Sequence, residues 1–441
     1  MTRSAAHHAW VVGLGTAVVP LDTAVNIAFP AITSGFDLAT PDIQWVVIAY
    51  VLTYTALTLA LGRIGDIYGH ALVFRAGLAW SAVAFLLCAL APTFAGLLVC
   101  RFLQGIGAAL VLSCGVALAT SAYGEDRRSR VLGIYTMMFA AGLTLGPWIG
   151  GVLVQMWGWP AVFWFRAPIA VAALVLARGL PVPPPSAREP FDLAGAVLLA
   201  AALTAMLLAF NRIGDFAALP LGLAALAAFV GFFRHEARCA KPIIDVSVFR
   251  LPGFAAVNLA NVLTNLAAFA VWLLVPFHLA RASGLSLALS GAVLATGSLG
   301  MVVAPPLAGR LVGRVGAERL ALAGAVLVGV GLALIATWER GAPVVWLVAT
   351  LTLQGFGAGL FQLAYTDIVT AALPPQNRGV AGSLAMVTRT VGTVSAAAIV
   401  MLLFQRLEAA GGFFAAFRQT FALVAVLPLA MAALLALRRR R

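Results

Sequence analysis

The chain has 441 residues, of which 63% are hydrophobic and only 10% are charged, and this composition excludes a soluble protein, which would need a more polar surface. Apolar segments long enough to cross roughly 30 Å of hydrocarbon recur throughout, without the alternation of a transmembrane barrel. The net charge of +13 does not indicate a nucleic-acid partner, since the basic residues lie mostly between the apolar segments. The sequence predicts an all-α polytopic membrane protein surrounded by the lipid bilayer.

Fourteen spans are predicted, and they divide the chain into three parts. Residues 1–180 hold six spans, the linker 181–252 holds two extra spans, and residues 253–441 hold the last six. Lys and Arg are concentrated in the loops of one side, so the positive-inside rule predicts an inner-membrane protein with both termini in the cytoplasm. The predicted spans are 9–33, 42–61, 73–92, 94–121, 131–155, 159–179, 192–210, 216–233, 253–280, 287–309, 320–337, 343–373, 379–404 and 414–437.

Asp22 lies in the middle of the first span. An ionised carboxylate in hydrocarbon is costly, so Asp22 is expected to face a water-filled cavity or a cation. One interpretation is that it binds and releases a proton during transport, and the other is that it hydrogen-bonds a neighbouring helix. Asn26 in the same span, and Tyr50 and Tyr54 in the second, are candidates for lining a substrate cavity.

The cytoplasmic loop after the second span contains a group of glycines and charges. Its acid and its arginine, together with an arginine before the fifth span, are predicted to hold one gating state closed. The alternative is a solvated loop with surface ion pairs, which contribute little. The residues concerned are Gly62, Arg63, Gly65, Asp66 and Arg130.

Arg101 in span four and Arg166 in span six lie at similar depths, about 10 Å below the outer surface at roughly 1.5 Å per residue. Asp22 lies near that level, so a salt bridge with Arg101 is within reach, and opening it would be coupled to protonation of Asp22. The alternative for Arg101 is a clamp on backbone carbonyls. Arg166 is expected either to extend to the outer headgroups or to contact an anionic group of the substrate.

Span five carries Gly142, Gly146 and Gly150 at intervals of four residues, with Pro147 among them. The glycines form a smooth ridge that lets another helix approach closely, and Pro147 bends the helix and frees a carbonyl. Ordinary tight packing would use the same ridge.

The second half repeats the first. The segment 351–358 nearly reproduces 101–108, with Leu351 in place of Arg101, and 309–316 matches 62–69. Two related membrane halves are typical of secondary transporters built from structural repeats. The missing arginine indicates that the first half carries the charge chemistry.

Polar residues of the second half are further candidates. Asn258, Asn261 and Asn265 share one face of span nine and are predicted to point into the cavity, as are Gln104, Gln354 and Gln362. Asp367, near the inner end of span twelve, is either a second titrating group or a helix-end charge. Arg389 in span thirteen is a candidate cavity residue that is also expected to have structural partners.

No motif for covalent or nucleotide chemistry occurs. The chain lacks a Gly-x-x-x-x-Gly-Lys-Ser/Thr sequence, and its only lysine is Lys241, so ATP is not expected to drive it. Metal-ligand spacings and nucleophile motifs are absent from the sequence as well. We expect neither an enzyme nor a bound cofactor or metal, and the proton gradient is the predicted energy source.

Four segments carry a family resemblance: 21–30 in the first span, 62–70 after the second, 101–107 in the fourth and 142–151 in the fifth. Together they resemble the major facilitator superfamily, and within it the 14-helix drug:proton antiporters, over nearly the whole chain. The resemblance implies two six-helix bundles with an inserted two-helix hairpin, and an antiporter role for the glycine ridge. The sequence departs from the family at Ile67, His70 and Ala71, where basic residues are usual, and at Arg166, where an amide is usual.

We therefore expect a monomeric, proton-coupled antiporter that exports small amphipathic organic compounds by alternating access, with Asp22 carrying the proton and Arg101 tuning it. The cavity charges, which are Arg101, Arg166 and Arg389 against Asp22 and Asp367, disfavour strongly polycationic substrates. One alternative is a dedicated transporter of a single metabolite or lipid, proton-coupled or facilitative. The other is a non-transporting membrane sensor or scaffold, which the lack of a predicted soluble domain disfavours.

Overall fold

The computed structural model describes residues 3–121, 125–180, 192–212, 216–239, 253–372 and 378–438. Within these ranges every regular element is a helix and no strand occurs, which confirms the all-α class. The chain forms two compact units. The first contains residues 1–196 and 286–291, and the second contains 197–285 and 292–441.

The first unit is built from α1 to α9, with two short 3-10 helices at Pro20–Thr23 and Thr40–Ile43. Its core is formed by apolar side chains that α1, α5 and α6 turn toward one another, among them Val12, Phe74 and Val111. The helices are α1 Arg3–Ala17, α2 Ala24–Ile27, α3 Phe29–Gly35, α4 Gln44–Tyr68, α5 His70–Ala89, α6 Phe94–Ser121, α7 Glu125–Trp157, α8 Ala161–Trp164 and α9 Arg166–Ala177.

The first span is interrupted, whereas the sequence predicts one continuous helix over 9–33. Pro20 opens the 3-10 turn after α1, and Pro30 lies in the first turn of α3. Proline has no backbone N–H, so an uninterrupted α-helical hydrogen-bond ladder cannot run through either position. The interruption leaves Asp22 in the 3-10 turn between α1 and α2.

The second unit contains most of α10 and α13 together with the helices between and after them. Gly412, at φ 75° and ψ 173°, marks a kink between two helices of the long last element, and it lies between the predicted spans 379–404 and 414–437. The helices are α10 Leu193–Asn211, α11 Ala218–Glu236, α12 Phe254–Ala282, α13 Leu287–Val315, α14 Ala317–Ile335, α15 Val344–Ala372 and α16 Arg378–Arg438.

Ten helices within the described ranges are long and apolar enough to cross a membrane, and two shorter apolar helices accompany them. One of the ten, Val387–Ala436, has 50 residues and contains the break at Gly412. At 1.5 Å per residue it extends for about 75 Å, which suffices for two crossings. The protein is therefore a multi-pass membrane protein, while the number of fourteen spans stays a prediction.

Candidate functional site

Asp22 and Arg101 form the ion pair that their depths in the sequence predict. The guanidinium donates from Nη1 to Oδ1 of Asp22 at 2.7 Å and from Nη2 to Oδ2 at 2.9 Å, a bidentate arrangement. Its Nε donates to the carbonyl oxygen of Val46 at 2.9 Å, so the backbone clamp considered as an alternative is present as well. Arg101 is buried, and the Asp22 side chain is 13% exposed, so Asp22 is the less buried partner of the pair.

Arg166 binds the same carboxylate, which the sequence did not predict. Its Nη1 donates to Oδ1 of Asp22 at 2.7 Å, and its Nε donates to the carbonyl oxygen of Val162 at 3.2 Å. The side chain is 0% exposed, so the expectation that it extends to the outer headgroups is wrong. The physical reason is that α9 begins at Arg166 with this side chain turned toward Asp22, where a charged partner is available.

Gln104 completes the set of donors around the carboxylate. It lies one turn of α6 beyond Arg101, and its Nε2 donates to Oδ1 of Asp22 at 2.8 Å. Its Oε1 accepts from Nη1 of Arg101 at 2.8 Å and from the Cys88 thiol at 3.6 Å. Oδ1 of Asp22 thus accepts three hydrogen bonds and Oδ2 accepts one. We call Asp22, Arg101, Gln104 and Arg166 the Asp22 cluster.

Aromatic rings surround both guanidinium groups. The Cζ atom of Arg101 lies 4.3 Å from the centre of the Tyr50 ring, and that of Arg166 lies 4.3 Å from the centre of the Phe85 ring. The Phe163 ring is 5.8 Å from the first and 5.7 Å from the second. A cation over an aromatic face gains about 0.5–2 kcal/mol depending on its desolvation, so these rings stabilise the buried charges in part.

The Asp22 cluster has unequal charges. Two guanidinium groups face one carboxylate, which leaves a net charge of +1 when Asp22 is ionised. Moving an ion from water into the interior of a protein costs several kcal/mol unless a partner offsets it. Among the described residues, Nη2 of Arg166 is buried and has no hydrogen-bond partner. The cluster can therefore bind a proton at Asp22, and it has an unused donor on Arg166.

The glycine ridge of α7 packs against the segment that carries Asp22. A Cβ added at Gly142 or Gly150 would lie 2.8 or 2.7 Å from a backbone carbonyl oxygen of the first span, and one added at Gly146 would overlap the Thr23 hydroxyl. The close approach predicted from the glycine spacing is thus present, and its partner is the interrupted part of the first span.

Thr23 links the two prolines of this contact. Pro147 removes the backbone donor that would satisfy the carbonyl of Leu143 in a regular helix. The Thr23 hydroxyl lies 3.2 Å from that oxygen and 2.9 Å from the carbonyl oxygen of Pro20, and it shares its proton between them. Thr23, which is adjacent to Asp22, therefore bonds both the break in the first span and the α7 carbonyl that Pro147 leaves without its helical donor.

The asparagines of α12 belong to a neutral network in the second unit. Tyr365 on α15 donates to Oδ1 of Asn258 at 2.8 Å, and Nδ2 of Asn261 donates to Thr388 on α16 at 2.9 Å. Asn265 donates to Oδ1 of Asn261 at 2.9 Å. The shared helix face is as predicted, but Asn258 and Asn261 are 3% and 0% exposed and bond to neighbouring helices, so they do not line an open cavity.

The other predicted positions lie outside these two networks. The Tyr54 ring packs beside the Tyr50 ring, with centroids 5.2 Å apart, and Gln354 is buried in α15. Asp367 and Arg389 are exposed, and Asn26 and Gln362 are partly buried. Their roles stay predictions.

The cluster after the second span that is predicted to hold one gating state closed lies largely outside the described side chains. The structure does not describe the side chains of Arg63, Asp66 and Arg130, or the surroundings of Gly62. Gly65 packs tightly, since an added Cβ would lie 2.6 Å from Nδ1 of His70 and 2.8 Å from Sγ of Cys114.

The residues of these networks differ in how clearly the sequence marks them. Phe85 and Phe163 are aromatic residues in apolar spans and resemble ordinary core positions until their guanidinium partners are known. Tyr365 and Thr388 are polar groups inside predicted spans, and that placement is the signal that points to them. Thr23 is recognisable only because Asp22 precedes it.

Helical spans enclosing a buried ion cluster define a polytopic membrane protein of the transporter type. The family model of the Major Facilitator Superfamily matches residues 12–234 and 257–441. The chain belongs to the Major Facilitator Superfamily.

Relatives agree with this assignment. The chain is 30% identical over 384 residues to the riboflavin transporter RibZ of Clostridioides difficile (strain 630), covering 86% of this chain and 84% of that protein. It is 30% identical over 393 residues to a tetracenomycin C resistance and export protein of Streptomyces glaucescens, covering 86% and 72%. Among solved structures, a bacterial homologue of the human lysosomal transporter Spinster matches with a TM-score of 0.72 and 15% identity, covering 100% and 98%.

Proposed function

We propose that this protein is a proton-coupled antiporter that exports small amphipathic organic compounds by alternating access. The observation that carries the proposal is the Asp22 cluster, a partly exposed aspartate inside a membrane span that is bound by two buried guanidinium groups. Ionisable groups at such depth are expensive and usually functional. Relatives named for resistance and export, such as the tetracenomycin C protein, support the direction of transport.

The proton is taken up at the Asp22 carboxylate. Protonation removes the negative charge that Arg101 and Arg166 bind, so charge-assisted hydrogen bonds become weaker and the cluster opens more readily. By linkage, whatever opens the cluster also favours protonation. Because the protonation step and the conformational step favour each other, a proton that enters from outside can drive the return of the transporter.

The contact between α7 and the first span carries this change through the first unit. Thr23 and the ridge glycines hold the backbone beside Asp22 against α7. A shift of Asp22 away from the arginines alters the contact of Thr23 with Leu143. In this proposal the ridge Gly142, Gly146 and Gly150, with Pro147, is the element that converts protonation into helix movement.

The remaining architecture of the proposal follows the family resemblance. The transporter has fourteen spans, with two six-helix bundles at 1–180 and 253–441 and an inserted hairpin in 181–252. It lies as a monomer in the inner membrane with both termini in the cytoplasm and uses no cofactor. Asp367 remains the candidate for a second titrating group.

One alternative has a specific observation in its favour. The riboflavin transporter RibZ is 30% identical over 84% of its length, which supports a dedicated transporter of a single metabolite. Such a protein would show one substrate, and proton coupling would not be required. Nothing comparable favours a sensor or scaffold.

The test starts with a growth-inhibition panel of toxic compounds in a host that lacks its own efflux pumps. A compound to which the chain confers resistance is then loaded with the purified protein into liposomes, with and without an imposed pH gradient. We expect uphill movement of the compound only with the gradient, and resistance to several unrelated compounds. Equal transport without a gradient would contradict proton coupling, and resistance to one compound alone would favour the dedicated transporter.

A further inference from the structure

We propose that Arg166 provides an anion-binding subsite, so that the substrates of this transporter are amphipathic compounds with a carboxylate or an equivalent anionic oxygen. This inference rests on the proposed transport function and names its substrate class. It follows from a difference between Arg101 and Arg166 in the number of hydrogen bonds that each makes within the protein.

Arg101 has no unused nitrogen. Its Nε binds the carbonyl of Val46, its Nη1 binds Asp22 and Gln104, and its Nη2 binds Asp22. A guanidinium presents its donors as a rigid planar fork, and here the Arg101 fork matches both oxygens of the carboxylate. Four of its five N–H groups therefore have acceptors within the protein, and each of its nitrogens donates at least once.

Arg166 is occupied only in part. Its Nε and Nη1 have partners, while its Nη2 is buried and, within the described part of the chain, has none. Asp22 can neutralise one of the two guanidinium groups, and its bidentate pair is with Arg101. Since an uncompensated buried charge is unfavourable, a second anion next to Arg166 would be stabilised.

The carboxylate of Asp22 can release Arg166 without losing its other partners. Oδ1 accepts three hydrogen bonds, from Arg101, Gln104 and Arg166. If Arg166 turns its fork toward an incoming carboxylate, Asp22 keeps both bonds to Arg101 and the bond to Gln104. The incoming anion would then receive two parallel N–H bonds, the geometry that Arg forms with carboxylates.

The residues around the Asp22 cluster indicate the chemical nature of the rest of the ligand. Asp22 is the accessible member of the cluster, so a ligand approaches from its side. The Phe85 ring faces Arg166, and the Phe163 ring lies near both arginines. In the arrangement described, Phe85 and Phe163 are 3% and 0% exposed, so an aromatic or apolar body attached to the anionic group would contact them once Arg166 turns away from Asp22. The fitting class is thus a small organic anion rather than a hydrophilic one.

The experiment measures binding to the purified full chain in detergent at one fixed pH, so that the protonation of Asp22 is not varied. The probes are matched pairs: benzoate with benzamide, naphthalene-1-acetate with its amide, and indole-3-acetate with its amide. We expect at least one carboxylate to bind about tenfold or more tightly than its amide, because a charge-assisted bidentate contact is lost in the amide. In Arg166→Asn we expect this preference to disappear.

Two further variants test whether misfolding causes the loss of the carboxylate preference. Arg166→Lys keeps the charge without the fork, so the preference should fall but persist. Arg340→Gln removes one arginine from an exposed position and should leave the preference unchanged. All variants are compared by thermal unfolding, and a neutral compound from the resistance panel reports whether the cavity is intact.

Two outcomes would overturn the inference. One is that the carboxylates bind no better than their amides, or that the preference survives in Arg166→Asn. The other is that radiolabelled chloride binds through Arg166 and carboxylates do not displace it, which would make the partner an inorganic ion. Proton-driven export of neutral compounds with no carboxylate preference would refute this inference alone, whereas carboxylate binding without any transport would refute the proposed function alone.

Discussion

The two units share glycine turns and glycine packing positions, but their buried polar groups differ. Gly69, between α4 and α5, has φ 95° and ψ 125°, and Gly316, between α13 and α14, has φ 88° and ψ 144°. These residues occupy equivalent positions in the sequence repeat. Positive φ favours glycine, so the turn was retained in both halves for a conformational reason.

The repeated glycines of α6 and α15 show the same equivalence. A Cβ at Gly105 would meet Thr53 of α4, and one at Gly107 would meet Ser81 of α5. In the second unit, Gly355 faces α13 and Gly357 faces α14 in the same way. The two glycines of the Gln-Gly-x-Gly segment thus let two neighbouring helices approach closely in each unit.

The chemistry around these shared packing positions differs between the units. Arg101 of the first unit binds Asp22, while the equivalent Leu351 is buried and apolar. The polar network of the second unit contains amides and hydroxyls, which do not titrate near neutral pH. Among the described residues, the two repeats therefore share these packing contacts, whereas the buried ion cluster is found in the first unit.

The largest expected effect comes from giving the second unit an arginine at Leu351, the position equivalent to Arg101. Leu351→Arg would bury a guanidinium at an apolar position of α15 that is 0% exposed. We expect a loss of stability of about 3–5 kcal/mol, the range for an uncompensated buried charge. Thermal unfolding in detergent measures it, and Leu351→Met, with a similar volume, should lose less than about 1.5 kcal/mol. Equal stability of the two variants would show that the second unit also accommodates a charge.

A smaller effect is expected at the contact of α7. Gly146→Ala would place a methyl group on the Thr23 hydroxyl, and overpacking of this kind costs about 1–3 kcal/mol. The matched variant is Gly309→Ala on α13, where an added Cβ has no atom within 4 Å. We expect lower stability and slower proton-driven export for the first variant only. If both behave like the wild type, the ridge does not hold the Asp22 segment.

The smallest effect is expected from the neutral network. Tyr365→Phe removes the hydroxyl that donates to Asn258 at 2.8 Å, at a cost of about 1 kcal/mol. Proton-driven export should continue, because no titrating group is lost. Tyr68→Phe is the control, since Tyr68 is 65% exposed. Loss of proton coupling in Tyr365→Phe alone would move part of the mechanism into the second unit.

The sequence predicts how deep a charged side chain lies in the membrane better than it predicts which neighbour that side chain contacts. The pairing of Asp22 with Arg101 could be predicted because rise per residue places both at one level. Arg166 lies at the same level, but the side to which it turns depends on the packing of α9, which the sequence does not contain. The same limit applies to Asn261, whose helix face was predictable and whose neighbours were not.

The interruption of the first span is the other feature that the sequence did not predict. The first span contains two prolines, yet its apolar continuity indicates a single crossing of 9–33. Prolines in membrane helices are often tolerated by small adjustments, so Pro20 alone does not distinguish a kink from a 3-10 turn. The partner of the glycine ridge was unpredictable for a related reason, because spacing shows that a helix can approach but not which one.

The central claim is that Asp22 carries the proton that drives export. Asp22→Asn is the direct test, because asparagine resembles the protonated carboxylate and cannot release a proton. In liposomes with an imposed pH gradient, we expect this variant to bind the exported compound but to lose uphill export. Asp37→Asn, at an exposed position with φ 53° that asparagine also adopts, should export normally. Uphill export by Asp22→Asn at the wild-type rate would contradict the account.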